Sequence, residues 1–181
     1  MKSLNNLKLK IANAILKRKL KTHTRKLNAI NLDQAKSIVL VTDINSPEEG
    51  KLISEFIKPY IKEGVNCKVL GYVTNPSSYT FISDNIYTFF NKKDFNFFLQ
   101  PKNEDILKLL EEKWDILILL SQKPYYQFKW LVSLSKSNFR IGPSTEFDNY
   151  LDFIVKGDNL TSTDILNEIN RYFVEQKIIK N

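Results

Sequence analysis

Hydrophobic positions along this chain alternate between two spacings, short solid runs and stripes with helical period. Ile38, Val39, Leu40 and Val41 form a run that leaves neither face of a strand for water, as in the middle of a parallel sheet. Directly after it, Ser46, Pro47 and Glu49 read as a helix start, with Ser46 and Glu49 forming a capping box and proline at the first helical position. Leu52, Ile53, Phe56, Ile57, Tyr60 and Ile61 then make a stripe that stops at Gly64, and Pro59 predicts a kink in it. Further strands are predicted at 67–73, 86–90, 115–120, 139–142 and near 152–155. Gly71, inside the second of these runs, implies the close approach of a neighbour. Helices are expected at 103–113, around Phe128, Leu131 and Val132, and at 162–176, while 91–101 fits neither period. This order predicts an α/β protein: a three-layer Rossmann-like fold with a mostly parallel sheet of five or six strands and an N-terminal basic amphipathic helix.

Charge separates that helix from the remainder. Residues 1–26 hold nine Lys or Arg and no acid, which leaves 18 basic and 20 acidic side chains elsewhere, so the formal net charge of +7 resides in the arm. The chain therefore divides into a basic helical arm (1–26), a linker (27–36) and a single Rossmann-like domain (37–181). Over 3–21, Leu4, Leu7, Ile11, Ala14 and Ile15 share one stripe, and Leu9, Leu16 and Leu20 lie off it. The stripe is expected to rest on the domain or on a second copy in a homo-oligomer. Lys8, Lys10, Lys17, Arg18, Lys19 and Lys21 are candidates for attachment to an anionic surface, either the inner leaflet of a membrane or RNA. His23, the single histidine, is expected to be solvated.

Candidate chemistry gathers where the first and fourth strands end. If those strands are neighbours, their exits line the crevice in which open α/β sheets bind ligands. The exits supply Asp43, Asn45, Ser121, Gln122 and Lys123, polar residues directly after apolar runs that suit small-molecule recognition and equally suit loop capping. A pyrophosphate needs free backbone N–H groups and a glycine-rich turn at the helix start. Here the turn has no glycine, and Ser46, Glu48 and Glu49 fill the position with acceptors, so NAD, FAD and P-loop nucleotides are not expected as cofactors. With its only histidine in the arm, the chain lacks the parts of a Ser-His-Asp or Cys-His site, and no Cys/His cluster has metal-ligand spacing. Arg140, in an otherwise apolar strand, is expected to pair with Asp148 or Asp152. The aromatic residues of 79–98, among them Tyr79, Phe81, Tyr87, Phe89 and Phe97, are expected to cover a sheet edge or an interface. One cysteine, Cys67, and no apolar run near the roughly 20 residues of a membrane span suggest a reducing, cytoplasmic setting, with peripheral contact at the inner membrane face through the arm.

Five segments carry a resemblance: VLVTD (39–43), LGYV (70–73), KKDFN (92–96), WDILI (114–118) and SKSNFRIG (135–142). Together with the basic helix they resemble a family of small uncharacterised bacterial proteins over almost the whole chain. That resemblance implies one Rossmann-like domain and no assigned catalytic residues. More distantly, SKSNFRIG with the aromatic-rich loop after it is similar to one half of a two-domain glycosyltransferase of the heptose-transferring type. The likeness implies shared architecture, and transferase activity would require a partner supplying the other half. The functional expectation is a binding or assembly domain with little or no catalysis, against the alternatives of an enzyme acting on a sugar or nucleotide and an RNA- or ribosome-associated protein.

Overall fold

A computed structural model describes residues 2–75 and 82–174, with side chains from residue 6 onward. Tyr79, Phe81 and the expected end of the last helix at Gln176 lie outside the described residues. In chain order the elements are α1 (Lys2–Leu20), β1 (Ser37–Asp43), α2 (Pro47–Lys62), β2 (Asn66–Tyr72), β3 (Tyr87–Phe90), α3 (Glu104–Glu111), β4 (Ile116–Leu119), α4 (Tyr126–Leu134), β5 (Phe139–Pro143), β6 (Phe153–Val155) and α5 (Ser162–Phe173). The strands form one six-stranded sheet in the order β3-β2-β1-β4-β5-β6, and every neighbouring pair is parallel.

β1 is paired along both edges, to β2 from Ser37 to Asp43 and to β4 from Ile38 to Val41. Its alternate side chains enter two different apolar layers. Val39 and Val41 join Leu70, Leu117 and Leu119 beneath α1, α3 and α4. Ile38 and Leu40 join Val69, Ile116 and Ile118 beneath α2 and α5. The continuous apolar runs in the sequence follow from this: a strand covered on both faces tolerates a charge only where a partner answers it. The strand order reverses between β1 and β4, so their exits flank the switch point.

The caps differ in one detail from expectation. Ser46 Oγ accepts from Glu49 N at 3.3 Å, but Glu49 Oε2 accepts at 2.6 Å from Asn45 N, one residue earlier than a capping box requires. Ser46 is extended, which brings the preceding amide within reach of the longer glutamate side chain. The segment without a period, 91–101, is held by its own polar side chains. Asn91 and Asp94 form a capping box, and Asn96 Oδ1 accepts from Phe98 N and Gln100 N. β3 is one of the two edge strands, with Tyr87 stacked on Phe89 on one side and Phe90 against Tyr72 on the other. Phe97 remains 62% exposed.

Helix α1 lies on α4, turned so that Leu7, Ile11 and Ala14 of the stripe read from the sequence face outward. Ala12 and Leu16 are fully buried and Ile15 and Leu20 are partly so, whereas Leu7 is 55% exposed, Ile11 is 37% exposed and Ala14 is exposed. Polar contacts on the inner side account for the rotation. Asn13 Oδ1 accepts from Tyr126 Oη at 3.1 Å and from Lys129 Nζ at 2.8 Å, while Lys19 lies over the Trp130 ring and Lys8 over the Phe97 ring. Seating the sequence-read stripe on α4 instead would pull Asn13 away from both of its donors.

Gly71 shows the expected close approach: a Cβ there would stand 2.9 Å from Phe89 Cδ1 and 3.0 Å from Ile44 Cδ1. Overpacking of this kind costs about 1–3 kcal/mol. The Gly71→Ala variant is therefore expected to have a lower denaturant midpoint at an unchanged slope in equilibrium unfolding.

Candidate functional site

The exits of β1 and β4 bring Asp43, Asn45 and Lys123 together. The Asp43 carboxylate is 8% exposed, because it still belongs to β1 beside Tyr72 of β2. Lys123 Nζ donates to Asp43 Oδ2 and forms an ion pair with it, and Asn45 Nδ2 donates to the same oxygen at 3.3 Å. Asn45 Oδ1 in turn accepts from Thr74 N at 3.0 Å, which ties the exit of β1 to that of β2. Burial alone would lower the Lys123 pKa, but the hydrogen bond and charge of Asp43 outweigh it and raise the ammonium above its ordinary value. Beneath the pair lies Tyr72, fully buried, whose hydroxyl has no hydrogen-bond partner among the described residues. Its ring centroid is 4.8 Å from that of Tyr125, and burial pushes the Tyr72 phenol up to about 12.

The other two sequence candidates serve the loops. Ser121 Oγ accepts from Lys123 N at 3.2 Å and so shapes the turn that presents the lysine. Gln122 donates from Nε2 to the Gly157 carbonyl at 2.9 Å and accepts at Oε1 from Leu160 N at 2.7 Å, which fastens the exit of β4 to the segment before α5. The start of α2 is closed to anions. Its cap is occupied by Ser46, and the exposed Glu48 carboxyl is held below its usual range by the backbone N–H at the helix start and by Ser46. At this crevice the Lys123 ammonium, the Asp43 carboxylate and the Asn45 amide are thus engaged with one another and with Thr74, and the start of α2 offers no place for a pyrophosphate. Among the described residues no three His, Cys, Asp or Glu side chains converge as metal ligands do.

A second polar centre, one that local spacing in the sequence did not reveal, joins the arm to β5. Arg140 is 3% exposed and does not pair with Asp148 or Asp152 through its side chain. Its guanidinium donates to the carbonyls of Ser133 at 3.2 Å and Tyr150 at 3.4 Å and to that of Ser135. A cation at the end of α4 answers carbonyls that the helix leaves without donors. Asp152 instead accepts from the Arg140 backbone N at 2.9 Å and, in a two-pronged ion pair, from Arg25, whose Nη1 donates at 2.8 Å. Arg25 and Asp152 are 127 positions apart, so no motif could have paired them. Burial, followed by the charge of nearby Arg25, pushes Arg140 down to about 10.

His23 is likewise half-buried rather than solvated. Its Nε2 lies 3.1 Å from the Ser135 carbonyl oxygen and 3.4 Å from Arg140 Nη2. Burial first, and Arg140 second, hold it below the ordinary histidine value of 6.5.

A family model, a family of unknown function (DUF6913), matches residues 8–174. None of the curated proteins matches the chain. Among solved structures, a glycosyl transferase family 9 protein from Veillonella parvula DSM 2008 is similar at 12% identity with a TM-score of 0.44. The similarity covers 81% of this chain and 43% of that one, so the chain spans less than half the length of its neighbour.

With the folded-state pKa of His23 depressed, the unfolded chain binds more protons below pH 6.5 than the folded one. Stability contributed by neutral His23 is therefore fully present above about pH 6.5 and lost as the pH falls from there through the lower folded-state value. Thermal unfolding measured from pH 7.5 to about 5.5 is expected to show a falling midpoint for the native chain and a flatter profile for His23→Gln, since glutamine does not titrate.

Proposed function

The chain belongs to a family of unknown function (DUF6913), and we propose that within it the protein is a Rossmann-like binding domain that attaches to an anionic membrane surface through α1. The observation that carries this reading is the uncovered outer face of α1. Leu7, Ile11, Ala14 and Arg18 follow one another at spacings of three and four on the exposed side, with Lys10, Lys17 and Lys21 along one flank. An apolar stripe bordered by lysines is the form in which a helix lies in a lipid interface.

Charge selects the occupant. Two copies meeting through this face would bring together arms that hold nine basic residues and no acid, which favours separation. A nucleic acid would use the lysines and leave Leu7 and Ile11 idle. At an anionic leaflet each basic residue near the surface contributes about 1 kcal/mol, so Lys10, Lys17, Arg18 and Lys21 together supply about 4 kcal/mol, roughly a thousandfold in partition. Leu7 and Ile11 add to this only when they leave water. No helix among the described residues is long and apolar enough to cross a membrane, so the attachment is peripheral. The crevice supports recognition more than turnover, because the Asp43 carboxylate is already matched by Lys123 and is no free base.

Co-sedimentation with vesicles of phosphatidylcholine, with and without phosphatidylserine, tests the reading. The native chain is expected to sediment only with the phosphatidylserine vesicles. Leu7→Ser with Ile11→Ser is expected to weaken partition about tenfold or more, in proportion to the apolar area withheld. Unchanged partition of that double variant, or salt-sensitive RNA binding indifferent to it, overturns the proposal.

A further inference from the structure

The N-terminal edge of the sheet, opposite the crevice, holds two adjoining cavities that share Thr24 and Lys136 in their walls. We infer that they form one binding site for a phosphate ester with an apolar body, the phosphate in one cavity and the body in the other.

The first cavity, about 560 Å³, lies between the end of α1, α3 and the end of α4. Leu107, Leu110, Trp130 and Leu134 supply an apolar wall, and Lys19, His23 and the Glu111 carboxylate paired with Lys136 stand at its margin. The second, about 570 Å³, is lined by Arg25, Lys26, Lys113 and Lys136 with Thr24 and Asn138, and has no acid in its lining. Each volume falls in the range of about 300–1,000 Å³ that small-molecule sites occupy.

Not all of this positive charge is neutralised. Arg25 is matched by Asp152, and Lys136 by Glu111. Lys26 and Lys113 are exposed and make no ion pair among the described residues. Beside His23 and Arg25, Arg140 is a buried cation whose guanidinium is met by carbonyls and not by a carboxylate, so its charge also contributes to the local potential. Lys26 and Lys113, together with Arg25 and Lys136 whose partners Asp152 and Glu111 lie outside the lining of the second cavity, suit a group of two negative charges and three acceptor oxygens, which is a phosphate monoester. The leucines and Trp130 next door have no use for inorganic phosphate, and they give the site its preference for a substituted one. This chemistry is independent of the sheet's switch point, where α2 repels anions.

The last turn of α1 and the segment after it wall the first cavity, so the ester has two sources, a soluble phosphate or the headgroup of a lipid beneath α1. The inference does not require the membrane reading, and the test separates them. Both tryptophans are fully buried, but Trp130 stands in the cavity wall under Lys19, whereas Trp114 is outside the lining with its Nε1 donating to the Leu109 carbonyl. Intrinsic fluorescence therefore reports occupancy. Titration with phenyl phosphate is expected to give a saturable change, with inorganic phosphate at least tenfold weaker and phenol without effect. Lys26→Gln with Lys113→Gln, two exposed and unpaired positions, is expected to raise the phenyl phosphate Kd about tenfold or more. Leu107→Gln should weaken phenyl phosphate while leaving inorganic phosphate unchanged. Phosphatidylcholine vesicles carrying phosphatidic acid, compared with phosphatidylserine at equal surface charge, identify the lipid source if only phosphatidic acid changes the fluorescence. The Leu7→Ser, Ile11→Ser variant is expected to keep its phenyl phosphate affinity, so loss of membrane attachment and loss of this site are distinguishable. No saturable response to phenyl phosphate or to phosphatidic acid, or equal affinity in the double lysine variant, overturns the inference.

Discussion

Burial of β1 on both faces and both edges is the constraint on which the rest of the molecule depends. A strand with sheet on either side and helices above and below has water access only at its ends, so polar function must wait until the strand stops. Asp43 is the first charge the chain permits there, and its carboxylate is still mostly enclosed. A carboxylate so placed needs an answering cation, which the neighbouring exit supplies as Lys123. Asn45 then links the pair to the end of β2 through Thr74. The switch point is thus a cross-braced polar corner, and its geometry follows from the strand order.

A comparable logic operates at the other end. Arg140 occupies a strand position facing α4, where a charge would be prohibitive without partners. It is accommodated because α4 ends above it and leaves carbonyls unanswered. Asp152 then accepts both the Arg140 amide and the guanidinium of Arg25, and His23 settles beside the same carbonyl of Ser135. Residues 23–25 are in this way fastened to the body at the point where the basic side chains of the arm converge with Lys113 and Lys136. The positive surface is consequently a shaped feature with a fixed position, rather than a diffuse charge on a loose tail.

Much of the fold was legible because each strand and helix carries its own local signal. The runs at 38–41 and 115–120 could only be central strands, and Gly71 implied the close approach of a neighbour, which the structure shows to be Phe89 with Ile44. The crevice residues were legible as a group for the same reason, since polar residues after apolar runs must sit at strand exits. Their division of labour was not. Lys123 and Asn45 turn toward Asp43, whereas Gln122 turns away to Gly157 and Leu160, and only the position of the β6–α5 segment decides that. Arg140 shows the limit of charge matching by type: acids stood nearby in sequence, yet helix carbonyls took the guanidinium and an arm residue took the acid.

Helix α1 separates the two kinds of information. Its period, its lysines and the absence of acids were set by the sequence alone, and they required a helix with apolar positions on more than one side. Which side meets the domain was decided by tertiary contacts, because Asn13 finds Tyr126 and Lys129 only when Ala12 and Leu16 face α4. Hydrophobic spacing says which residues can share a face. The partner's shape and its hydrogen-bond donors determine which face is covered, and here that choice left Leu7 and Ile11 exposed on the outer side.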